Sequence, residues 1–531
     1  MMACEHSSGA IFQDRSCHGR EKDFQDKGHL CMSKRWFQMI GNLLSVLPII
    51  TFSLMLPGCG RVNEQDGIVN LRVVSYQGGD IPLDMKEVVE KANAVSREKI
   101  GVTVDLEFQP SDKINLMMAS GEYYDMVFTS SWINNFDKNA SAGLYYDITD
   151  LLKKETPKLY EYVDPYWDCA GLNGRIYGVP LLKDMGAEEM FRLNADFFEA
   201  EKGMVIPERM ELEDIEPFLE AYKKDHPDKY PLEMTKSGPA GHLNFLERIV
   251  NPIIVLPFGE GQDSEDVVPF YECEELMDRF RLFHKWYQKG YIHPDAATID
   301  SLAYDKSIPV RFGVAWKGYQ GFSNPEEWGF NVKTSIYDGP FLSRSSEQGA
   351  MIGICAACDE EHAKACLKYL ELISTDRSFR DILAYGIEGK HFEYLENGTV
   401  LRSPTGRDRY NLLLFQTGPS ASASVESVSR TFLADPDQWE GVFKEYETEG
   451  IYSAINGFAY DQTGKEDIIA ALQAIYSDYA AELRTGTSDP DVVIPEIRKR
   501  MEAAGMEELL SDIRSQLSLW IEEKNRVKES E

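Results

Sequence analysis

The sequence predicts an α/β protein of more than one lobe that ends in a helix-rich segment. Three observations carry this. From residue 70 onward, short apolar runs alternate with amphipathic segments in βαβαβ order, the pattern of an open, largely parallel sheet. The 472 residues after Cys59 are too many for one hydrophobic core and enough for two or three domains. Beyond about His391 the apolar residues recur mainly at three- and four-residue spacing, which predicts helices.

Ahead of these elements lies "MSKRWFQMIGNLLSVLPIITFSLMLPGCG", residues 32–60. Lys34 and Arg35 form a short positive region, Trp36 to Leu56 supply roughly twenty mostly apolar residues, and small Gly58 precedes Cys59: the layout of a secretion signal. Leu56, Gly58 and Cys59 resemble the bacterial lipobox L-x-G-C, in which the cysteine is lipidated and becomes the mature N-terminus. Pro57 departs from the small residue usual there. The alternative is an uncleaved signal-anchor helix; Pro48 and the abrupt change to polar "GRVNEQDG" argue against it. Signals begin at the start codon, so Met32 is the expected start, residues 1–31 are an expected mis-assigned extension, and 32–59 are the signal peptide.

The formal net charge of −33 repels phosphate backbones, which excludes nucleic acid as an expected partner. No second apolar run approaches membrane length, so the expectation is a soluble body held by one lipid anchor on the extracellular face of a bacterial cytoplasmic membrane. Cys169, Cys273, Cys355, Cys358 and Cys366 follow the anchor, an odd number that cannot all pair within the chain. In "CAACDEEHAKAC", Cys355, Cys358, His362 and Cys366 invite a metal or redox reading. The favoured reading is structural: "GAMIGIC" as a buried strand, Cys358 at a helix N-cap, and Cys355 and Cys366 as small core residues. Neither a metal nor a cofactor is expected.

Along the body, "VNLRVVSY", "VTVDLEF" and "YDMVFTS" are predicted strands, and "LDMKEVVEKANAVSREKI" and "SDKINLMMASG" predicted helices. The first strand-to-helix loop, "YQGGD", lacks the G-x-G-x-x-G spacing of a dinucleotide site. Asp147 or Thr149 is placed to cap a helix. Strand signals stop near Pro180, a helical and loop region from Asp196 to Gly290 is expected to make another lobe, and "VRFGVAWKGY" to "GFNVKTSIY" to supply a return crossing.

Three ordered motifs then bring a family into view. D-x-V-F-T-x-S-W-x-N-N at Asp125 to Asn135, G-L-x-x-D-I-T-D-L-L at Gly143 to Leu152 and N-G-R-I-Y-G-V-P at Asn173 to Pro180 together resemble extracellular solute-binding proteins of bacterial ABC importers. "YGIEGKHFEY", Tyr385 to Tyr394 with Glu388 and His391, is similar to the lipoprotein subgroup carrying the C-terminal domain DUF3502. The resemblance runs from about Cys59 to Trp520. It implies a two-lobed, type II Venus-flytrap fold with a helix-rich C-terminal segment: lobe 1 at 60–185, lobe 2 at 186–335, a return to lobe 1 at 336–390, and a DUF3502-like region at 391–531. It also implies a monomer that captures a sugar or oligosaccharide and delivers it to ABC permease subunits. Hinged closure needs such discontinuous lobes.

A sugar site needs planar apolar faces for pyranose C–H surfaces and a few fixed polar groups for hydroxyls. Aromatic and polar residues in loops beside predicted strand ends are the candidates: Trp132 and Asn134, with Asn135 adjacent; Tyr177 and Asp184; and Trp316 and Tyr319. Cys59 is the candidate for lipidation. The competing classes are a tethered glycoside hydrolase, which needs two carboxylates across one cleft, and a sensor lobe for a membrane kinase. No G-x-S-x-G, H-E-x-x-H or P-loop pattern occurs, and catalysis is not expected.

Overall fold

The β-branched run at the start of the body forms the strand Val69–Tyr76, which pairs in parallel with Val102–Gln109 over its full length, Val69 opposite Val102 through Tyr76 opposite Gln109. The computed structural model describes residues 67–530 apart from 77–78, 187, 240–242, 259–265, 303–304, 317–327, 413 and 417. The lipidation candidate Cys59 and the rest of the signal region lie outside the described residues. On its other edge Val69–Tyr76 pairs in parallel with Met126–Thr129. The helix Met85–Ile100 covers this sheet through Met85, Val88, Ala92 and Ser96, the three- and four-residue spacing of one helical face.

Two later segments complete the sheet. Met351–Ile354, buried throughout, runs antiparallel to Met126–Thr129 and to Gly178–Pro180, giving five strands. The following helix, Glu360–Thr375, is capped by Asp359, whose carboxylate accepts the His362 amide at 2.9 Å. The cap is thus one residue later than the sequence suggests, because a carboxylate reaches the third helical amide where a thiol does not. Cys358 is buried beside Asp125 instead, and all five described cysteines are buried free thiols. Burial pushes the Cys366 thiol well up.

A second core forms around Glu188–Asn194, the central strand of an antiparallel sheet flanked by Val310–Ala315 and Val332–Asp338. The runs expected to supply the return crossing are these flanking strands, and the chain turns back only after Asp338. The region read as helix and loop also holds a sheet of Leu246–Val250, Ile254–Pro257 and Val268–Pro269, beside the helices Glu216–Asp225 and Glu274–Gln288. Strands of two to five residues are too short to display a period, so the sequence pattern does not separate them from loop.

Among the described residues, the segments before Glu188, after Asp338 and after Tyr446 run between the two cores, and these crossings meet. Phe341–Leu342 pairs in parallel with Ile451–Tyr452. A Cβ on Gly186, in the first crossing, would stand 2.7 Å from Leu342 Cγ and 3.2 Å from Tyr446 Cε1, so only glycine lets all three strands of chain approach so closely.

The C-terminal part divides between the cores. His391 is fully buried in the first lobe: its Nδ1 accepts the Ile387 amide at 2.8 Å, and its Nε2 faces Asp84 Oδ2 at 3.0 Å. Glu388 is exposed. The helix Gln438–Glu449 adds Trp439, Val442 and Tyr446 to the first core. From Ile455 on, the helices Glu466–Ser477, Ala480–Thr485, Pro490–Ala503 and Met506–Ser530 pack on the second core. Gly486 closes the second of these at φ +70°, where a Cβ would stand 2.3 Å from the Phe283 carbonyl oxygen, and His284 Nδ1 donates to its carbonyl at 2.8 Å. Residues 391–531 are therefore parts of both lobes, because their apolar faces complete each core. The described residues make one compact unit.

Candidate functional site

The turn after Met126–Thr129 determines where its side chains go. Asn134 adopts φ +48°, a left-handed conformation that asparagine tolerates, and its Nδ2 donates to the Phe128 carbonyl at 2.7 Å while its own carbonyl accepts the Thr129 hydroxyl at 2.6 Å. Asn135 caps the next helix, its Oδ1 accepting the Lys138 amide at 2.9 Å. With both asparagines holding the turn, Trp132 is carried outward at its tip, 54 % exposed. The indole is nonetheless held in place. Its Nε1–H donates to the Gly349 carbonyl at 2.9 Å, and it meets the edges of Tyr76 and Phe128 with centroids 6.1 and 6.3 Å away.

Trp132 faces a cavity of about 510 Å³. One wall is the first lobe's turn and helix, with Ser131, Trp132, Asn135, Asp137 and Lys138. The second wall is Arg248 to Asn251, from the strand Leu246–Val250 and the turn after it. Ser345 and Gln348, on the crossing between the cores, form the floor, and Gln462, Thr463, Glu466, Ile469, Ala470 and Gln473 form a third wall. The cavity therefore lies where both lobes and the crossing meet.

Its floor is a hydrogen-bonded junction. Arg344, 4 % exposed, donates to Asp137 at 2.7 Å, to the Asp168 and Gly171 carbonyls at 2.6 and 2.8 Å, and to Gly457 at 3.3 Å. Gln348 Nε2 donates to the same Asp137 oxygen at 2.9 Å, and Ser131 donates to the Ser345 carbonyl at 2.6 Å. Asp137 thus reaches the cavity already committed to protein donors. Arg248 Nη2 donates to Ser345 Oγ at 3.2 Å, and its buried Nε has no hydrogen-bond partner among the described residues.

Next to Arg248 in the chain, burial pushes the Glu247 carboxyl up to about 7, against the lowering effects of the Ser453 hydroxyl and the Arg248 charge. Glu347 is likewise pushed up to about 7 by burial. A free glutamate titrates near 4.5, so the folded protein holds a proton on Glu247 that the unfolded chain releases between about pH 4.5 and 7. Stability from this group is present at low pH and is lost as pH rises through the folded value. On going from pH 5 to pH 8, wild type should lose on the order of 2–3 kcal/mol that the Glu247→Gln variant, which mimics the protonated form, retains. Urea midpoints at pH 5, 7 and 8 measure this, and equal pH slopes in the two proteins would reject it.

Of the residues singled out from sequence, Trp132 lines the cavity, accompanied by Asn135. Asn134 sits in the same turn with its side chain directed inward at 4 % exposure. Tyr177 packs against the first core, its amide donating to the Ala170 carbonyl at 3.0 Å. Asp184 pairs with Lys183 at 3.1 Å. Trp316 is buried in the first core against Trp439, centroids 5.1 Å apart. None of these three lines the cavity, and Tyr319 lies outside the described residues. Sequence reading passes over Arg248, Gln348, Glu466 and Gln473. Only Glu466 and Gln473 leave a trace, as polar residues seven apart with small Ala470 between them on a mostly apolar helix.

The motifs that carry the resemblance are largely structural. Arg175 pairs with Asp147 and, at 3.2 Å, with Asp150; the Ile176 amide donates to Thr149 Oγ1 at 2.9 Å. The second and third motifs are thus built against one another, and Asn173–Gly174, both at positive φ, turn the short hairpin between Gly171–Leu172 and Arg175–Ile176.

Residues 454–522 match the family model for a domain of unknown function, DUF3502. Over 467 residues the chain is 25 % identical to a carbohydrate ABC transporter substrate-binding protein of Streptococcus pneumoniae serotype 4, covering 85 % of this chain and 91 % of that one. It is 24 % identical over 388 residues to lipoprotein LipO of Bacillus subtilis, covering 68 % and 74 % respectively. Among solved structures, it is similar to the N-glycan transport solute-binding protein NgtS of Streptococcus pneumoniae, with a TM-score of 0.74 at 24 % identity, covering 86 % of this chain and 100 % of that one. The complex of NgtS with Man5GlcNAc gives a TM-score of 0.67 at the same identity, covering 86 % of this chain and 99 % of that one. The fold is that of two-lobed, type II solute-binding proteins, and the homologues are solute-binding proteins.

Proposed function

We propose that this protein is an extracellular solute-binding protein that captures an oligosaccharide between its lobes and delivers it to an ABC importer. The observation that carries this is the cavity itself. An indole held at its edge by Gly349 faces a space bounded by both lobes and the crossing between them, with polar side chains on the remaining walls. A pyranose ring offers an apolar face to an indole and hydroxyls to polar neighbours, which matches that division. The homology to a carbohydrate importer's binding protein and the Man5GlcNAc complex of a protein with the same fold support the reading. The chain binds without turning its ligand over, acts as a monomer, and is tethered through lipid on Cys59 at the outer face of the cytoplasmic membrane.

A thermal-shift screen of the purified protein against neutral and uronic-acid oligosaccharides tests this, because a ligand that binds only the folded state raises its apparent stability. At least one oligosaccharide should raise the Tm and be recovered intact after prolonged incubation. A screen with no response, or repeated cleavage of the bound glycan, would overturn the reading. Mass spectrometry of the membrane-extracted protein should find diacylglyceryl on Cys59, and an internal, unmodified Cys59 would refute the anchor.

A further inference from the structure

The helix Glu466–Ser477 lies inside the segment that matches a domain of unknown function. Ile469, Leu472 and Tyr476, all buried, fasten one face of it to the second core and thereby set its rotation. Glu466, Ala470 and Gln473 lie at i, i+4 and i+7, a single stripe, and all three line the cavity opposite the first lobe. Gln473 is held in position, its Nε2 donating to the Asn251 carbonyl at 3.0 Å across to the second wall. Its side-chain carbonyl oxygen accepts no hydrogen bond from the described residues.

Building on the carbohydrate reading, we infer that the DUF3502 segment is the wall of the site that reads the sugar's hydroxyl groups, through Glu466 and Gln473, with Ala470 leaving the space the ring occupies. The distribution of donors and acceptors supports this. Arg248 and Lys138, on the other walls, can only donate, whereas the Glu466 carboxylate can only accept and Gln473, with one amide hydrogen engaged by Asn251, presents its carbonyl oxygen as an acceptor beside the remaining N–H. A hydroxyl both donates and accepts, so a polyol spanning the cavity satisfies both sides, and neither a purely cationic nor a purely anionic solute does. Bonds from hydroxyls to a carboxylate are the stronger kind and the more demanding of geometry, which makes Glu466 the residue with most to say about which hydroxyls fit.

The test compares Glu466→Gln, Ala470→Trp and Asp467→Asn by calorimetry on an array of neutral mono- to heptasaccharides built from mannose, glucose and galactose. Asp467 is exposed on the same helix but does not line the cavity, so its variant controls for surface charge. Glu466 and Ala470 are both exposed, which leaves folding intact. Glu466→Gln and Ala470→Trp should each weaken the best wild-type ligand by about tenfold or more, since a charge-assisted bond or ring-sized space is lost, while Asp467→Asn binds as wild type. Wild-type affinity in both cavity variants would overturn the inference and leave the carbohydrate reading standing. Failure of the wild-type protein to bind any glycan on the array would overturn this inference, and failure in the wider thermal-shift screen as well would take away the carbohydrate reading with it.

Discussion

Replacing Trp132 by alanine should weaken oligosaccharide binding by roughly ten- to a hundredfold, the equivalent of about 1–3 kcal/mol for removing a large aromatic contact. Two losses combine. The sugar loses a flat apolar face, and the cavity loses a wall that Gly349 and the edges of Tyr76 and Phe128 hold ready before ligand arrives. Because Trp132 is bonded to Gly349, and its neighbour Ser131 to Ser345 and Gln348, ligand contact at this turn bears directly on the crossing between lobes. Ligand should therefore also compact the wild-type protein in small-angle scattering, provided the closed state binds more tightly than the open one. Trp132→Phe keeps an aromatic face and loses the indole donor, so its affinity should fall between the two. A folded Trp132→Ala protein with unchanged affinity in calorimetry would remove this residue from the site.

Arg344→Met should cost about 3–5 kcal/mol of folding stability, the usual penalty for removing one partner of a buried ion pair. The guanidinium binds Asp137, two carbonyls of the segment Asp168–Gly171 and the distant Gly457 carbonyl, so its loss leaves a carboxylate and several acceptors without their donor. Arg344→Lys should rescue little, because an ammonium on a flexible stem cannot reproduce a planar fork reaching acceptors on opposite sides. Urea denaturation measures both variants. A loss under about 1 kcal/mol in Arg344→Met would show that Asp137 and the carbonyls find water instead.

The first lobe's opening elements are legible in sequence because each is dictated locally. "VNLRVVSY" is a strand by its β-branched residues, and Met85–Ile100 is a helix by the spacing of its buried face. The burial of Cys355 and Cys366 follows from the apolar pattern around them, whereas the exact cap at Asp359 depended on which side chain reaches an amide. The second lobe was less readable. Its strands around Leu246–Val250 and Ile254–Pro257 are too short to show alternation, and the flanking strand Val332–Asp338 owes its place to pairing with Glu188–Asn194, distant in sequence.

By itself the sequence determined the export-signal layout, the acidic surface, the α/β character of the body and, through three ordered motifs, the two-lobed fold. Periodicity and composition report which face of a segment is apolar, and that suffices for such features. The tertiary structure alone decided what faces the cavity. Trp316 and Trp132 are the same residue type beside strand ends, yet one is packed against Trp439 and the other stands out at the tip of a turn. Glu466 and Gln473 come to the site only because Ile469, Leu472 and Tyr476 dock their helix on the second core with its polar stripe turned toward the first lobe. Which residues meet across a cleft depends on the rotation and placement of elements hundreds of residues apart, and that is set by packing between them, which no local pattern encodes.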